Sequence, residues 1–84
     1  GVSMHELSIA QAILDQVQEA ARKEKADRVT GIALAIGALS GVDHGSLEFV
    51  FPLAAEGTTA ADATLTVEIT AGRELCIKSI ELET

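Results

Sequence analysis

The chain is poor in aromatic side chains: Phe49 and Phe51 are the only two, and there is no Trp or Tyr. Its core must therefore be assembled from Leu, Ile, Val and Ala, with few large side chains to anchor it. Cysteine is almost absent too. The single Cys76 cannot form a disulfide within the chain, and Cys76, His5 and His44 cannot together supply the four ligands of a structural zinc site. Basic residues are scarce, six Lys and Arg against thirteen Asp and Glu, for a formal net charge of −7. Phosphate binding needs a basic face, and the only basic cluster is Arg22, Lys23 and Lys25, so nucleic acid is excluded as a partner class. No run approaches the roughly 18 to 20 apolar residues of a membrane span, and no segment has the layout of a secretory signal. A cytoplasmic address without membrane association is expected.

What is present suits one small folded domain. Apolar residues make up 48% and charged residues 23% of 84 residues, too apolar for a disordered tail. A domain of this size buries only about 60% of its unfolded surface. It usually draws further stability from disulfides, a metal or a partner chain. With disulfides excluded, metal or oligomer remains. Gly1, Val2 and Ser3 precede Met4 and read as the remnant of an expression tag, leaving residues 4–84 as the domain proper.

From about Glu6 to Lys25 the pattern is helical: Leu7, Ile9, Ala10, Ile13, Leu14, Val17, Ala20 and Ala21 fall within an arc of roughly 160°. Ser3 and Glu6 have capping-box spacing, and Arg22, Lys23 and Lys25 suit the negative end of a helix. Arg28 to Ile36 alternates as a half-buried strand, with Gly31 a candidate bulge. After a turn at Gly37 to Gly41, Asp43 is placed to N-cap a second helix carrying Leu47, Val50, Phe51 and Ala54, which Gly57 would end. Pro52 inside it predicts a kink or an early end. Leu65, Val67 and Ile69 mark a second strand, and Glu74 to Glu83 a third. The third changes phase between Leu75/Ile77 and Ile80/Leu82, which predicts a bulge near Lys78 and Ser79. The link Thr70-Ala71-Gly72-Arg73 is short enough to predict antiparallel pairing of the last two strands and to forbid a crossover. The expected fold is α/β in the α+β sense: order α-β-α-β-β, two helices on one face of a small three-stranded mixed sheet. The other sheet face would lack cover, which favours a partner chain.

Several motifs occur together: Met4-His5-Glu6-Leu7-Ser8-Ile9-Ala10, Arg28-Val29-Thr30, Ile36-Gly37-Ala38-Leu39-Ser40-Gly41-Val42, Glu56-Gly57-Thr58, and Gly72-Arg73-Glu74-Leu75 with Lys78-Ser79-Ile80-Glu81. In this order and spacing they resemble the HypA/HybF family, the nickel chaperones of hydrogenase maturation. The resemblance covers nearly the whole chain from Met4. It implies a nickel-binding domain whose zinc module, built on paired Cys-x-x-Cys motifs and inserted between the last two strands, is missing between about residues 69 and 72. Either an engineered deletion or a natural short form would give this, and no zinc is expected in the chain.

By the same resemblance, the nickel site would use the amino-terminal amine at Met4, the imidazole of His5 and backbone nitrogens including that of Glu6. Such a set suits Ni(II), which favours square-planar nitrogen ligation. Residues 1–3 ahead of Met4 would turn that amine into an ordinary amide and weaken the site. Glu6 lies inside the apolar arc of the first helix, so a role through its carboxylate is also open. Asp43 is first a helix N-cap, and the resemblance additionally brings it toward the metal. His44 departs from the family pattern and is not assigned as a ligand. An Asp43-His44 dyad suggests general-base chemistry, but no nucleophile motif accompanies it, so no enzymatic activity is expected. Cys76, mid-strand, is expected to be a buried and inert thiol.

The implied function is delivery of Ni(II) during [NiFe]-hydrogenase maturation, with the GTPase HypB and the hydrogenase large-subunit precursor as partners. The alternative is a protein-interaction or dimerisation module without a metal role. A homodimer is expected, with strand exchange as one route to it, because a short link can keep a strand from folding back on its own chain.

Overall fold

The computed structural model describes residues 4–84. The capping box expected between Ser3 and Glu6, like the tag reading of residues 1–3, falls outside the described residues. The elements are α1 (Met4–Lys23), β1 (Arg28–Gly37), α2 (His44–Ala55), β2 (Thr64–Thr70) and β3 (Leu75–Glu83). The order and the α+β class are those expected.

The apolar face of α1 buries Ala10, Ile13, Leu14, Val17 and Ala21. Its C-terminus closes as a Schellman turn: the Ala26 amide donates to Ala21 O at 2.9 Å and the Lys25 amide to Arg22 O at 3.2 Å, with Lys25 at φ 55. Asp43 caps α2, its Oδ1 accepting from the Ser46 amide at 3.1 Å. The helix runs past Pro52 to Ala55, so the early end predicted from the proline is not seen. Pro52 and Glu48 are both exposed. The Glu48 carbonyl loses its helical donor to the proline ring, at a residue open to solvent. Gly57, at φ 79, follows the helix end, and the Thr58 hydroxyl donates to Ala55 O at 2.6 Å.

The sheet order is β2-β1-β3, with β1 parallel to β2 and antiparallel to β3. The sheet is mixed as expected, but the predicted pairing of the last two strands is wrong. They flank β1 on opposite sides, and residues 71–74 between them cross the end of β1. Strands two places apart are separated by about 9.6 Å, and four extended residues reach about 13 Å, so the link is long enough. It is held there by β1 and the turn after it: Gly37 N donates to Glu74 O at 2.7 Å, Ala38 N to Thr70 O at 2.8 Å and Leu39 N to Gly72 O at 2.9 Å. A β-carbon on Gly37 would collide with the backbone of Gly72 and Arg73, so only glycine allows this approach. The link thus closes within a single chain, and the premise that favoured strand exchange is not met.

Ile32, Leu34 and Ile36 of β1 face the helices, paired with Leu65, Val67 and Ile69 of β2. On β3, Ile77 opposes Leu34 while Ser79 opposes Ala33, so Lys78 is the extra residue. This bulge, at the place the phase change predicts, returns Leu75, Ile77, Ile80 and Leu82 to one face. A second register shift, between Val29 and Gly31, bears out the bulge expected near Gly31. The core joins this sheet face to α1 and to Leu47, Val50, Phe51 and Ala55 of α2. Ala54, expected inside, is only partly buried, its place in the core taken by Ala55. Cys76 corrects the sequence reading: it is exposed, because β3 is an edge strand and Cys76 pairs with Ala35, out of phase with the core-facing residues.

Candidate functional site

Two helix beginnings meet at one end of the molecule. Met4 and His5 open α1, and His5 is exposed to solvent. One residue on, Glu6 turns inward and is only 6% exposed, the one buried charged residue among those described. Among its contacts, Oε2 accepts from the Asp43 amide at 3.5 Å. A buried carboxylate is costly unless donors and positive potential compensate it. Glu6 lies in the first turn of α1 and beside the start of α2, so the positive ends of two helices serve it.

Asp43 itself is exposed and committed to capping. The Ser46 backbone amide, and after it the Ser46 hydroxyl, hold its carboxyl below the ordinary aspartate value. Ser40 shapes the turn just before it, its hydroxyl accepting from the Val42 amide at 3.2 Å. His44 points to Glu48, with Nδ1 3.5 Å from the carboxylate, which is the helical i, i+4 relation. The structure therefore brings Glu6 to Asp43 across 37 positions of sequence. It gives His44 a partner on its own helix.

Among the described residues, no three His, Cys, Asp or Glu side chains are grouped as they would be to hold a metal ion. What this end of the fold offers a cation is an exposed imidazole beside the amides of a helix's first turn. Those amides stand outside the intrahelical ladder, as at every helix start. A site resting mainly on backbone nitrogen needs no convergence of side chains. Elsewhere, a hollow of about 380 Å³ opens at the start of β1, lined by Arg28, Thr58, Thr59 and Asp62 among others. Its Arg28 is engaged by Glu83, through Nε at 3.0 Å and Nη2 at 2.9 Å.

The sequence placed Asp43 correctly as a cap but did not show that its amide meets Glu6. The available signal was a lone acidic residue inside the apolar arc of α1, which implies a buried partner without identifying it. No helix among the described residues is long and apolar enough to cross a membrane.

The comparisons with known proteins agree with one another. A family model described as hydrogenase/urease nickel incorporation, metallochaperone, hypA matches residues 4–81. The hydrogenase maturation factor HypA of Chlorobaculum tepidum is 45% identical over 73 residues, 87% of this chain and 65% of that protein. That of Chlorobium limicola is 47% identical over 73 residues, 87% of this chain and 63% of its own. The chain spans just under two thirds of the length of these curated relatives. In fold it is similar to the solution structure of the Ni metallochaperone HypA from Helicobacter pylori, with a TM-score of 0.83 at 18% identity over 93% of this chain and 97% of that one.

Proposed function

Because the chain belongs to the HypA family of nickel-incorporation metallochaperones, we propose that it carries Ni(II) as cargo at the start of α1, for delivery during hydrogenase maturation. In a chain beginning at Met4, His5 and the amine of Met4 anchor the ion, backbone nitrogens including that of Glu6 complete the set, and the Glu6 to Asp43 contact sets how α1 begins beside α2. The observation that carries this reading is the exposed imidazole of His5 at a helix start. Nickel favours nitrogen ligands, and deprotonating a first-turn amide sacrifices no intrahelical hydrogen bond. An exposed site at the edge of the fold also suits a cargo that must be handed on. It is a chaperone's site and not an enzyme's.

In the same reading, the GTPase HypB and the hydrogenase precursor are the partners, the setting is the cytoplasm, and the family's zinc module would enter between about residues 69 and 72. The homodimer remains a proposal. The unpaired edges of β2 and β3 are the surfaces through which two sheets would join, and light scattering that finds a monomer at the highest soluble concentration removes it.

Calorimetry with nickel on a chain beginning at Met4, beside its His5→Ala variant, tests the site. The expected result is a loss of tenfold or more in affinity on substitution. Equal affinities refute the assignment and leave the interaction-module reading in its place.

A further inference from the structure

Two of the large apolar side chains on α2 face solvent: Phe49 is 65% exposed and Leu53 57% exposed. Four positions apart, they lie on one face of the helix. Gly45 and Pro52, also exposed, extend the same stripe. The opposite side of α2 buries Leu47, Val50, Phe51 and Ala55. The helix is thus apolar nearly all the way round, the pattern of a helix covered on both sides, while its own chain covers only one. Scattered exposed apolar residues are ordinary, but a contiguous strip is the mark of an interaction surface. Here it takes up one of the chain's two aromatic residues.

Charge selects the occupant. Glu48 and Glu56 edge the strip, and no Lys or Arg occurs between His44 and Glu56. A second copy would set its own Glu48 and Glu56 against these, between chains each of net charge −7, with no Lys or Arg on the helix to answer them. An anionic lipid surface is repelled for the same reason. We infer that the outer face of α2, through Phe49 and Leu53, is a docking surface for a partner protein that presents an apolar surface with a Lys/Arg rim. Phe49 is six residues from Asp43, about 9 Å along a helix, so the partner would sit beside the Glu6 to Asp43 junction. The inference stands whether or not the nickel reading does.

The test uses a synthetic amphipathic helical peptide with a leucine stripe flanked by lysines, and a counterpart with glutamate for lysine. Each is titrated into the isotope-labelled chain and followed by NMR. The lysine peptide is expected to shift resonances of residues 45–56, and to bind at least tenfold more weakly to the Phe49→Ser/Leu53→Ser double variant. Glu48→Gln/Glu56→Gln is expected to weaken it severalfold. Circular dichroism checks that each variant is folded, with Phe49→Gln/Leu53→Gln as a second apolar-strip variant. The inference is overturned if the double variant binds the lysine peptide as well as the parent does, or if the glutamate peptide binds equally. It is also overturned if the parent forms a dimer, or adheres to phosphatidylserine vesicles, through a contact that the double variant abolishes.

Discussion

The turn from Ala38 to Asp43 is held at its two ends by different kinds of contact. At the β1 end, the crossing link is fixed by backbone bonds of 2.7 to 2.9 Å and by a glycine that admits no side chain. At the α2 end, the Asp43 amide meets a side chain, Glu6, at the long distance of 3.5 Å. Backbone closure of this kind has no rotamer freedom and cannot be adjusted without moving the strand. A side-chain contact can be replaced, lengthened or released while both helices remain folded. The end proposed to exchange a metal ion is the one built from the adjustable contact.

The strongest way to break this comparison is at Gly37. Gly37→Ala forces a β-carbon against the Gly72 backbone and is expected to cost about 2–3 kcal/mol, read as a lower denaturant midpoint. Gly41 is the control: at φ 83 with nothing within 4 Å, Gly41→Ala meets only backbone strain, about 1 kcal/mol. If the two variants are equally stable, the link is not packed as described.

The next effect in size is at the other end. Glu6→Ala removes a buried acceptor and is expected to cost about 1–2 kcal/mol, while Glu6→Gln, which keeps an acceptor oxygen, recovers most of it. Thermal melts of the two variants decide this. A Gln variant as unstable as the Ala variant would show that the negative charge, and not the hydrogen bond to Asp43, is what matters there.

The smallest effect sharpens the comparison through pH. Both ends carry an exposed carboxyl below its ordinary value: Asp43, held chiefly by the Ser46 amide, and Glu74, held chiefly by the Thr70 hydroxyl. A carboxyl lowered in the folded state binds fewer protons there than in the unfolded state. Its stabilising contribution is full above about pH 5 and is lost as pH falls through the lowered value. Carboxyl titration by NMR is expected to show Glu74 rising toward the ordinary glutamate range in Thr70→Val while Asp43 stays put. Parallel movement of both would mean that the two ends are coupled.

Much of the fold was legible because it is local. The apolar stripe of α1, the Asp43 cap and the alternation in β1 and β2 depend on neighbours a few residues away. The Lys78 bulge was legible for a related reason: a strand that changes phase must be restored by an extra residue if both halves face one core. Strand order was not legible, since a short link normally joins adjacent antiparallel strands and nothing local announces a crossing over β1. Gly37 and Gly72 were visible as glycines, but their contact spans the two halves of the chain. Cys76 was misread because its burial depends on β3 lying at the edge of the sheet.

The candidate site divides in the same way. His5 at a helix start, Glu6 in an apolar arc and Asp43 before a helix were all present in the sequence, together with the family they resemble. That Glu6 reaches the Asp43 amide, and that His44 turns to Glu48, depended on the approach of α1 to α2. Residue type and periodicity act through the nearest turn of backbone, so the sequence by itself determined the elements, their caps and the lack of a cysteine-built metal site. Which strand became central, which face of α2 stayed open and what the buried Glu6 carboxylate meets were decided only when the core closed. Those outcomes depend on packing between segments far apart in the chain, and only tertiary structure brings such segments together.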